Sequence, residues 1–218
     1  MENLTLDYII REDIPLYQNK NHFRFNTDTK LLAQFMKIKK DDVILDIGTN
    51  NGALLRIADL QPIKKSIGVE VLPEAYEIAL LNAKSFFSHP NEMILSRIQD
   101  IEMEPVNVIV CNPPYFQEKE TNPSVVMTPR QFGRIEKNLT LEELIYHAGR
   151  LLKSNGRFYF VHRPYRLNDI HKLLYQNHFQ LRHIQVAYER SSGQAKSILI
   201  EAIKESGCHS IIDPPIFI

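Results

Sequence analysis

The chain has 218 residues, 44% hydrophobic and 24% charged, enough for one ordinary to large domain with a real core and without a bias toward disorder. No apolar run approaches the roughly 18 residues that cross a bilayer, and the N-terminus lacks the basic-then-apolar pattern of a secretion signal. Net charge is zero, yet residues 1–128 carry 13 Lys/Arg against 18 Asp/Glu, while residues 129–218 carry 13 against 8 and six of the eight histidines. That asymmetry suits either an anionic partner on the C-terminal half or an ordinary mixed surface. Cys111 and Cys208 follow no metal-ligand spacing and form no disulfide framework, so a reducing cytoplasm is the expected location.

From residue 41 onward, short apolar runs alternate with longer helical patterns. Residues 43–47 predict a buried strand and 52–60 a helix. Residues 66–71 predict a second strand, and Pro73 opens a helix reaching to about 87, since proline suits a first turn. Residues 93–98 and 106–111 predict the third and fourth strands. A helix over 141–152, a turn at Asn155-Gly156, a strand over 157–162 and a helix over 167–177 follow. The last two strands, 181–188 and 197–203, are joined by too short a loop for a parallel crossover and should pair antiparallel. The expectation is an α/β fold: a seven-stranded, mostly parallel sheet with an antiparallel last strand and helices on both faces. Residues 1–40 are expected as an extension whose helix packs on a single domain formed by 41–218.

In such a sheet, ligands bind beyond the carboxyl ends of the strands. Directly after the first strand stands Asp46-Ile47-Gly48-Thr49-Asn50-Asn51-Gly52, and Glu70 and Val71 end the second. Glycines after a strand allow a sharp turn close to a ligand, and an acid ending the next strand can accept hydrogen bonds from ribose hydroxyls. The spacing Gly48-x-x-x-Gly52 departs from the Gly-x-Gly-x-x-Gly of pyrophosphate binders and favours a nucleoside cofactor without pyrophosphate, such as S-adenosylmethionine. Asn50 stands where a third glycine is usual, and asparagine tolerates positive φ. Asp46 is suited to ordering the turn or reaching an ammonium group, and Asp100, after the third strand, to accepting from an adenine amino group.

Asn112-Pro113-Pro114-Tyr115 follows the fourth strand. An exocyclic amine on a purine is a poor nucleophile because its lone pair is delocalised. Two acceptors for its N–H bonds, the Asn112 side-chain oxygen and the Pro113 carbonyl, favour pyramidalisation and aim the lone pair outward. The prolines fix φ and remove competing N–H donors, which preorganises that carbonyl. Tyr115 is expected to present a flat face for base stacking.

The pairing of Asp46-x-Gly48 with Asn112-Pro113-Pro114-Tyr115 resembles class I methyltransferases that act on amino groups. Within them it is most similar to the bacterial tRNA(Val)-type adenine N6-methyltransferase family, over nearly the whole chain. Phe23-Arg24-Phe25-Asn26-Thr27-Asp28, Arg134-Ile135-Glu136, residues 161–167, residues 193–204 and Pro214-Pro215 carry further likeness. The resemblance implies a Rossmann-like class I fold, S-adenosylmethionine as cofactor with Phe25 and Thr27 near it, and N6 methylation of adenine in RNA, most of all tRNA. Arg130, Arg134, Arg163, Arg166 and Lys196 lie after strands or in the final hairpin loop and are expected to form a cationic rim for phosphates. Phe116 and Phe132 are candidates for stacking on neighbouring bases. A DNA adenine or protein glutamine methyltransferase, or an RNA-binding protein that has lost catalysis, are the alternatives. No metal ligand set is expected.

Overall fold

The computed structural model describes residues 4–20, 24–115 and 139–218. An antiparallel hairpin, β1 (Leu4–Tyr8) and β2 (Pro15–Asn19), leads to helix α1 (Thr27–Phe35). There follow β3 (Val43–Ile47), α2 (Ala53–Ala58), β4 (Lys65–Glu70), α3 (Pro73–Phe86), β5 (Asn91–Leu95) and β6 (Val106–Cys111). Next come α4 (Leu141–Leu151), β7 (Leu152–His162), α5 (Leu167–Gln176), β8 (Phe179–Tyr188) and β9 (Ala195–Lys204). Two short strands, β10 (Ile211–Ile212) and β11 (Ile216–Phe217), end the chain.

The sheet runs β10-β8-β9-β7-β6-β3-β4-β5, with β11 also on β8. β3 pairs parallel with β4 and β6, β4 with β5 and β6 with β7, whereas β9 is antiparallel to both β7 and β8. The seven expected strands are therefore present with the expected antiparallel last one. Strand order reverses between β3 and β6, so a crevice opens at their carboxyl ends.

Side-chain alternation divides the core between the two faces. Leu45, Ile109, Phe158 and Phe160 face one way and pack with Leu144, Ile145 and Ala148 of α4 and Ile170 and Leu174 of α5. Ile44, Val108, Val110 and Tyr159 face the other and pack with Leu31 and Leu32 of α1, Leu54 and Leu55 of α2 and Ala79 and Ala83 of α3. With both faces covered by helices, β3 and β6 are apolar except at Asp46 and Asn107, as buried parallel strands mostly are. Among the described residues, no helix is long and apolar enough to cross a membrane.

Two local expectations are corrected. The third strand is Asn91–Leu95 rather than 93–98, because Ser66–Glu70 of β4 pairs with Asn91–Leu95 and Ile98 has entered a 3-10 turn with Gln99 and Asp100. Asn155-Gly156 does not start β7 but lies within it. Pairing with β6 jumps from Val106↔Leu152 to Val108↔Arg157, so residues 153–156 bulge outward, with Asn155 at φ 59°. The hairpin β1–β2 was not anticipated at all.

That hairpin is fastened by buried amides. Asn82 of α3, fully buried, accepts from the Tyr17 N–H at 2.7 Å and donates to the carbonyls of Tyr17 at 2.9 Å and Asn51 at 2.8 Å. The buried Gln18 side-chain oxygen accepts from the Phe25 N–H at 2.9 Å and from Asn51 Nδ2 at 3.2 Å, while its Nε2 donates to Asp7 at 2.7 Å. The buried Gln18 side chain and the Tyr17 backbone thus find partners outside the hairpin, which lets its polar groups bury.

Candidate active site

At the carboxyl ends of β3, β4 and β6 lies a cavity of about 160 Å³, roughly ten times what one water occupies by the same measure. A multi-ring solute fits such a space. Its walls include Phe25, Asp46, Gly48, Asn50, Glu70, Val71, Asn112, Pro113 and Pro114, so the loop after β3 and the motif after β6 share one chamber.

The loop after β3 is a succession of left-handed residues: Gly48 at φ 71°, Asn50 at φ 52° and Gly52 at φ 80°. Asn50 adopts the conformation its type tolerates, and the turn forms without a third glycine. A Cβ on Gly48 would meet nothing within 4 Å, so that flank of the loop is open. The Gly48 and Thr49 N–H groups donate to the Val69 carbonyl at 2.9 and 3.0 Å, tying the loop to β4. Gly52 instead heads α2 and is not among the wall residues.

Two carboxyls stand in this corner. Glu70 Oε2 accepts from the Asn50 N–H at 2.8 Å, and Oε1 from the N–H groups of Val71 at 2.9 Å and Leu72 at 3.0 Å. One acceptor position on Oε2 remains of the roughly four a carboxylate offers. Burial raises its pKa, opposed by those backbone bonds. Asp46 Oδ2 accepts from the Thr49 hydroxyl at 2.8 Å, whereas its buried Oδ1 has no partner among the described residues. Burial first, and Glu70 nearby, push Asp46 up to about 7, against the Thr49 bond.

On the opposite wall, the Asn112 Nδ2 donates to Thr29 Oγ1 at 2.9 Å, and its Oδ1 accepts a hydrogen bond from the Tyr115 hydroxyl. Cys111 ties this tip to β3 through a 3.1 Å contact with the Ile47 carbonyl. Tyr115 departs from expectation. It is buried, meets His162 edge-on at 5.5 Å, and carries the Arg163 guanidinium over its ring at 4.2 Å. Its face is thus covered by a cation, and it is not among the cavity's wall residues. Burial, together with Asp28 close by, raises the phenol's pKa, with Arg163 opposing.

The expected cationic rim is also rearranged. Arg163 points inward, donating to the Lys196 carbonyl and Ser197 Oγ, both at 2.9 Å, and to Asp28 at 3.2 Å. Arg166 is buried and paired with Asp169 at 2.9 Å. Arg163 is committed to the buried Asp28 and Arg166 to the exposed Asp169, and only Lys196 of these three is exposed, 3.1 Å from Glu189. Arg130, Arg134, Phe116 and Phe132 lie outside the described residues, as do Phe23 and Arg134-Ile135-Glu136. Asp100 is exposed and outside the cavity because the 3-10 turn presents Ile98 and Gln99 instead. Thr27 is exposed at the start of α1, and Thr29, two residues further along the helix, lines the wall in its place. Arg97 and Leu139 also line the cavity without having been singled out; an exposed arginine and an isolated leucine carry no local signal. His162, buried between Arg163 and Arg166, is driven down to about 3, mainly by desolvation, and stays neutral. Among the described residues, no His, Cys, Asp or Glu cluster could hold a metal ion.

The family model of the methyltransferase small domain matches residues 21–187. A protein of Flavobacteriaceae bacterium (strain 3519-10), described as tRNA1(Val) (adenine(37)-N6)-methyltransferase, is 32% identical over 145 residues, covering 65% of this chain and 60% of its own length. One of the same description from Flavobacterium psychrophilum is 28% identical over 208 residues, covering 89% of this chain and 85% of its own. The chain spans between 51% and 60% of the length of the first four such relatives it matches. Among solved structures, the M. jannaschii tRNA m1G37 methyltransferase superposes with a TM-score of 0.71 at 15% identity, over 94% of this chain and 57% of that one, a likeness of fold.

Proposed function

We propose that this chain, which belongs to the methyltransferase small-domain family, moves a methyl group from S-adenosylmethionine to the exocyclic N6 of adenine in RNA, with tRNA as the polymer. The observation that carries the reading is one cavity walled by both Asn112-Pro113-Pro114 and the Asp46-to-Glu70 corner. The residues fit the cofactor. An ammonium group matches the buried Asp46 Oδ1, unpartnered among the described residues, a ribose hydroxyl matches the remaining Glu70 acceptor position, and the open flank at Gly48 leaves room for close approach. When bound, S-adenosylmethionine supplies an electrophilic methyl on a sulfonium.

The chain's own residues do the rest by positioning. A side-chain amide oxygen has two lone pairs, so Asn112 Oδ1 can keep the Tyr115 hydroxyl and still accept a substrate N–H. The Pro113 carbonyl is our second acceptor. Tyr115 serves here as a buried support for Asn112 rather than as a stacking face. No strong base is required, since the methylated ammonium sheds its proton readily. The relatives' printed descriptions support the tRNA substrate, and a tRNA substrate in turn supports the cytoplasm as the place of action. We read residues 1–40 as part of the same unit, since Phe25 and Thr29 line the cavity.

The test is nucleoside mass spectrometry of tRNA incubated with purified protein and S-adenosylmethionine, with duplex DNA and a glutamine peptide as parallel substrates. N6-methyladenosine in tRNA is expected, falling by at least about 10²-fold in Asn112→Ala with the melting temperature retained. Methylation of DNA or the peptide instead of tRNA, or undiminished activity in Asn112→Ala, rejects the reading.

A further inference from the structure

We infer that Thr29, in the first turn of α1, is the positioning residue that sets which way the Asn112 amide faces. The inference deepens the proposed methyl transfer and rests on Asn112 being the acceptor of the substrate amine.

An asparagine amide can turn over and exchange its oxygen for its NH2, and only its neighbours decide which end points where. Here the decision starts from a group with no ambiguity. The Thr29 backbone N–H, a donor only, gives its hydrogen to Asn26 at 2.9 Å, which identifies that atom as the Asn26 amide oxygen. The Thr29 hydroxyl lies 3.1 Å from the same oxygen and therefore donates to it. Its single hydrogen is then used, and Oγ1 has only lone pairs to offer. One of these takes the Asn26 backbone N–H at 3.3 Å, completing the reciprocal cap of the helix. The other takes Asn112 at 2.9 Å. What Asn112 presents to Thr29 must accordingly be its NH2, and its oxygen is turned to the other side, where Tyr115 donates to it. Turning the amide over would require the hydroxyl to abandon Asn26 and would set an NH2 against the Tyr115 hydroxyl, in place of the oxygen that our reading gives to the substrate amine.

The chain of polarity runs from a backbone N–H through Asn26 and Thr29 to the amide that grips the amine. Because α1 packs on β7 and β9, its first turn is a fixed reference for the tip of β6. A nitrogen that must lose its planarity needs two acceptors; a donor in place of one opposes the reaction. Thr29 touches neither the amine nor the sulfonium methyl in this scheme and acts through Asn112 alone.

The experiment compares Thr29→Val, of nearly the same shape but without the hydroxyl, with Thr29→Ser, which keeps it. Two readouts are taken on the whole protein. In steady-state methyl transfer to tRNA, Thr29→Val is expected to lower kcat by about 10²-fold with little change in KM for either substrate, and Thr29→Ser to restore it. In ligand-free 15N-labelled protein, the Asn112 side-chain NH2 signals are assigned by their loss in Asn112→Ala. Solvent exchange of the bonded proton is expected to be about tenfold slower in the natural protein and Thr29→Ser than in Thr29→Val. If Thr29→Val does not fold, Thr29→Ala, a better helix former, makes the same comparison. Exchange unchanged on loss of the hydroxyl overturns the inference, as does a kcat equal to that of the natural protein. A natural protein that exchanges as described yet transfers no methyl to tRNA rejects the proposed function while leaving Thr29 as the orienting group.

Discussion

Replacing one NH2 by an oxygen at Asn82 tests whether the N-terminal hairpin is riveted to the cofactor loop. Asn82→Asp keeps the side chain's shape but turns its donor into an acceptor, 2.9 Å from the Tyr17 carbonyl and 2.8 Å from the Asn51 carbonyl. Two hydrogen bonds worth about 1 kcal/mol each are lost. A fully buried carboxylate then faces two carbonyl oxygens, which carries the total to about 3–5 kcal/mol, the range for an uncompensated buried charge. For a chain of this size each kcal/mol lowers Tm by about 2–4 °C, so a loss of about 6–20 °C is expected near pH 8. Protonation removes the charge and returns one donor. The new acid's folded pKa is therefore raised above its unfolded value of about 4, and the deficit must shrink as pH falls from 8 toward 5. Scanning calorimetry of both proteins at the two pH values measures this. A variant within about 1 kcal/mol of the natural protein, or a deficit indifferent to pH, refutes the rivet.

Two further expectations follow from the site. Asp46, raised from 3.8 to about 7, holds a proton in the folded state that the unfolded chain has released, so stability falls as pH climbs through that window. Asp46→Asn should flatten that slope and, in ligand-free protein above pH 7, add up to about 4 kcal/mol, read by urea denaturation across pH 5 to 8; an unchanged slope contradicts the assignment. Arg163→Met strips the buried Asp28 of its cation while leaving Ser197 at 2.5 Å, and should cost about 3 kcal/mol. Most of this should return in the double variant with Asp28→Asn; independent, additive losses on chemical denaturation count against a coupled pair.

How far the fold could be read in advance depended on whether a residue's surroundings lie close to it in sequence. Val43–Ile47 and Val106–Cys111 are central parallel strands, nearly all buried, and their apolar runs, broken only by Asp46 and Asn107, make them plain. Asn91–Leu95 is an edge strand whose first two residues are polar and exposed, so the apolar pattern placed it too late. The hairpin is not legible because Asp7 and Gln18 look like surface residues until their partners Arg24 and Asn51, and the Asn82 bonds to neighbouring Tyr17, are in view. At the site, the turn residues Gly48, Asn50 and Gly52 were legible from conformational tolerance alone, and their positive φ values agree. Tyr115 was not. Four letters after a strand say that an aromatic is available, but what covers its ring is Arg163, supplied by the end of another strand.

Both walls of the cavity trace back to the segment before β3. On the cofactor side, Gln18 and Asn82 between them hold Asn51, and Gln18 also holds the backbone of Phe25. On the acceptor side, Thr29 holds Asn112, and Asp28 holds the Arg163 that lies over Tyr115. Gln18, Asp28 and Thr29 therefore brace two loops that leave the sheet from different strands. Loops freed of such contacts would sample many arrangements, and each would have to be ordered when ligands arrive, at a cost in affinity and in rate. A sheet of this kind supplies the crevice. The bracing across it, between the carboxyl corner and the Asn112 amide, is supplied by Gln18, Phe25, Asp28 and Thr29.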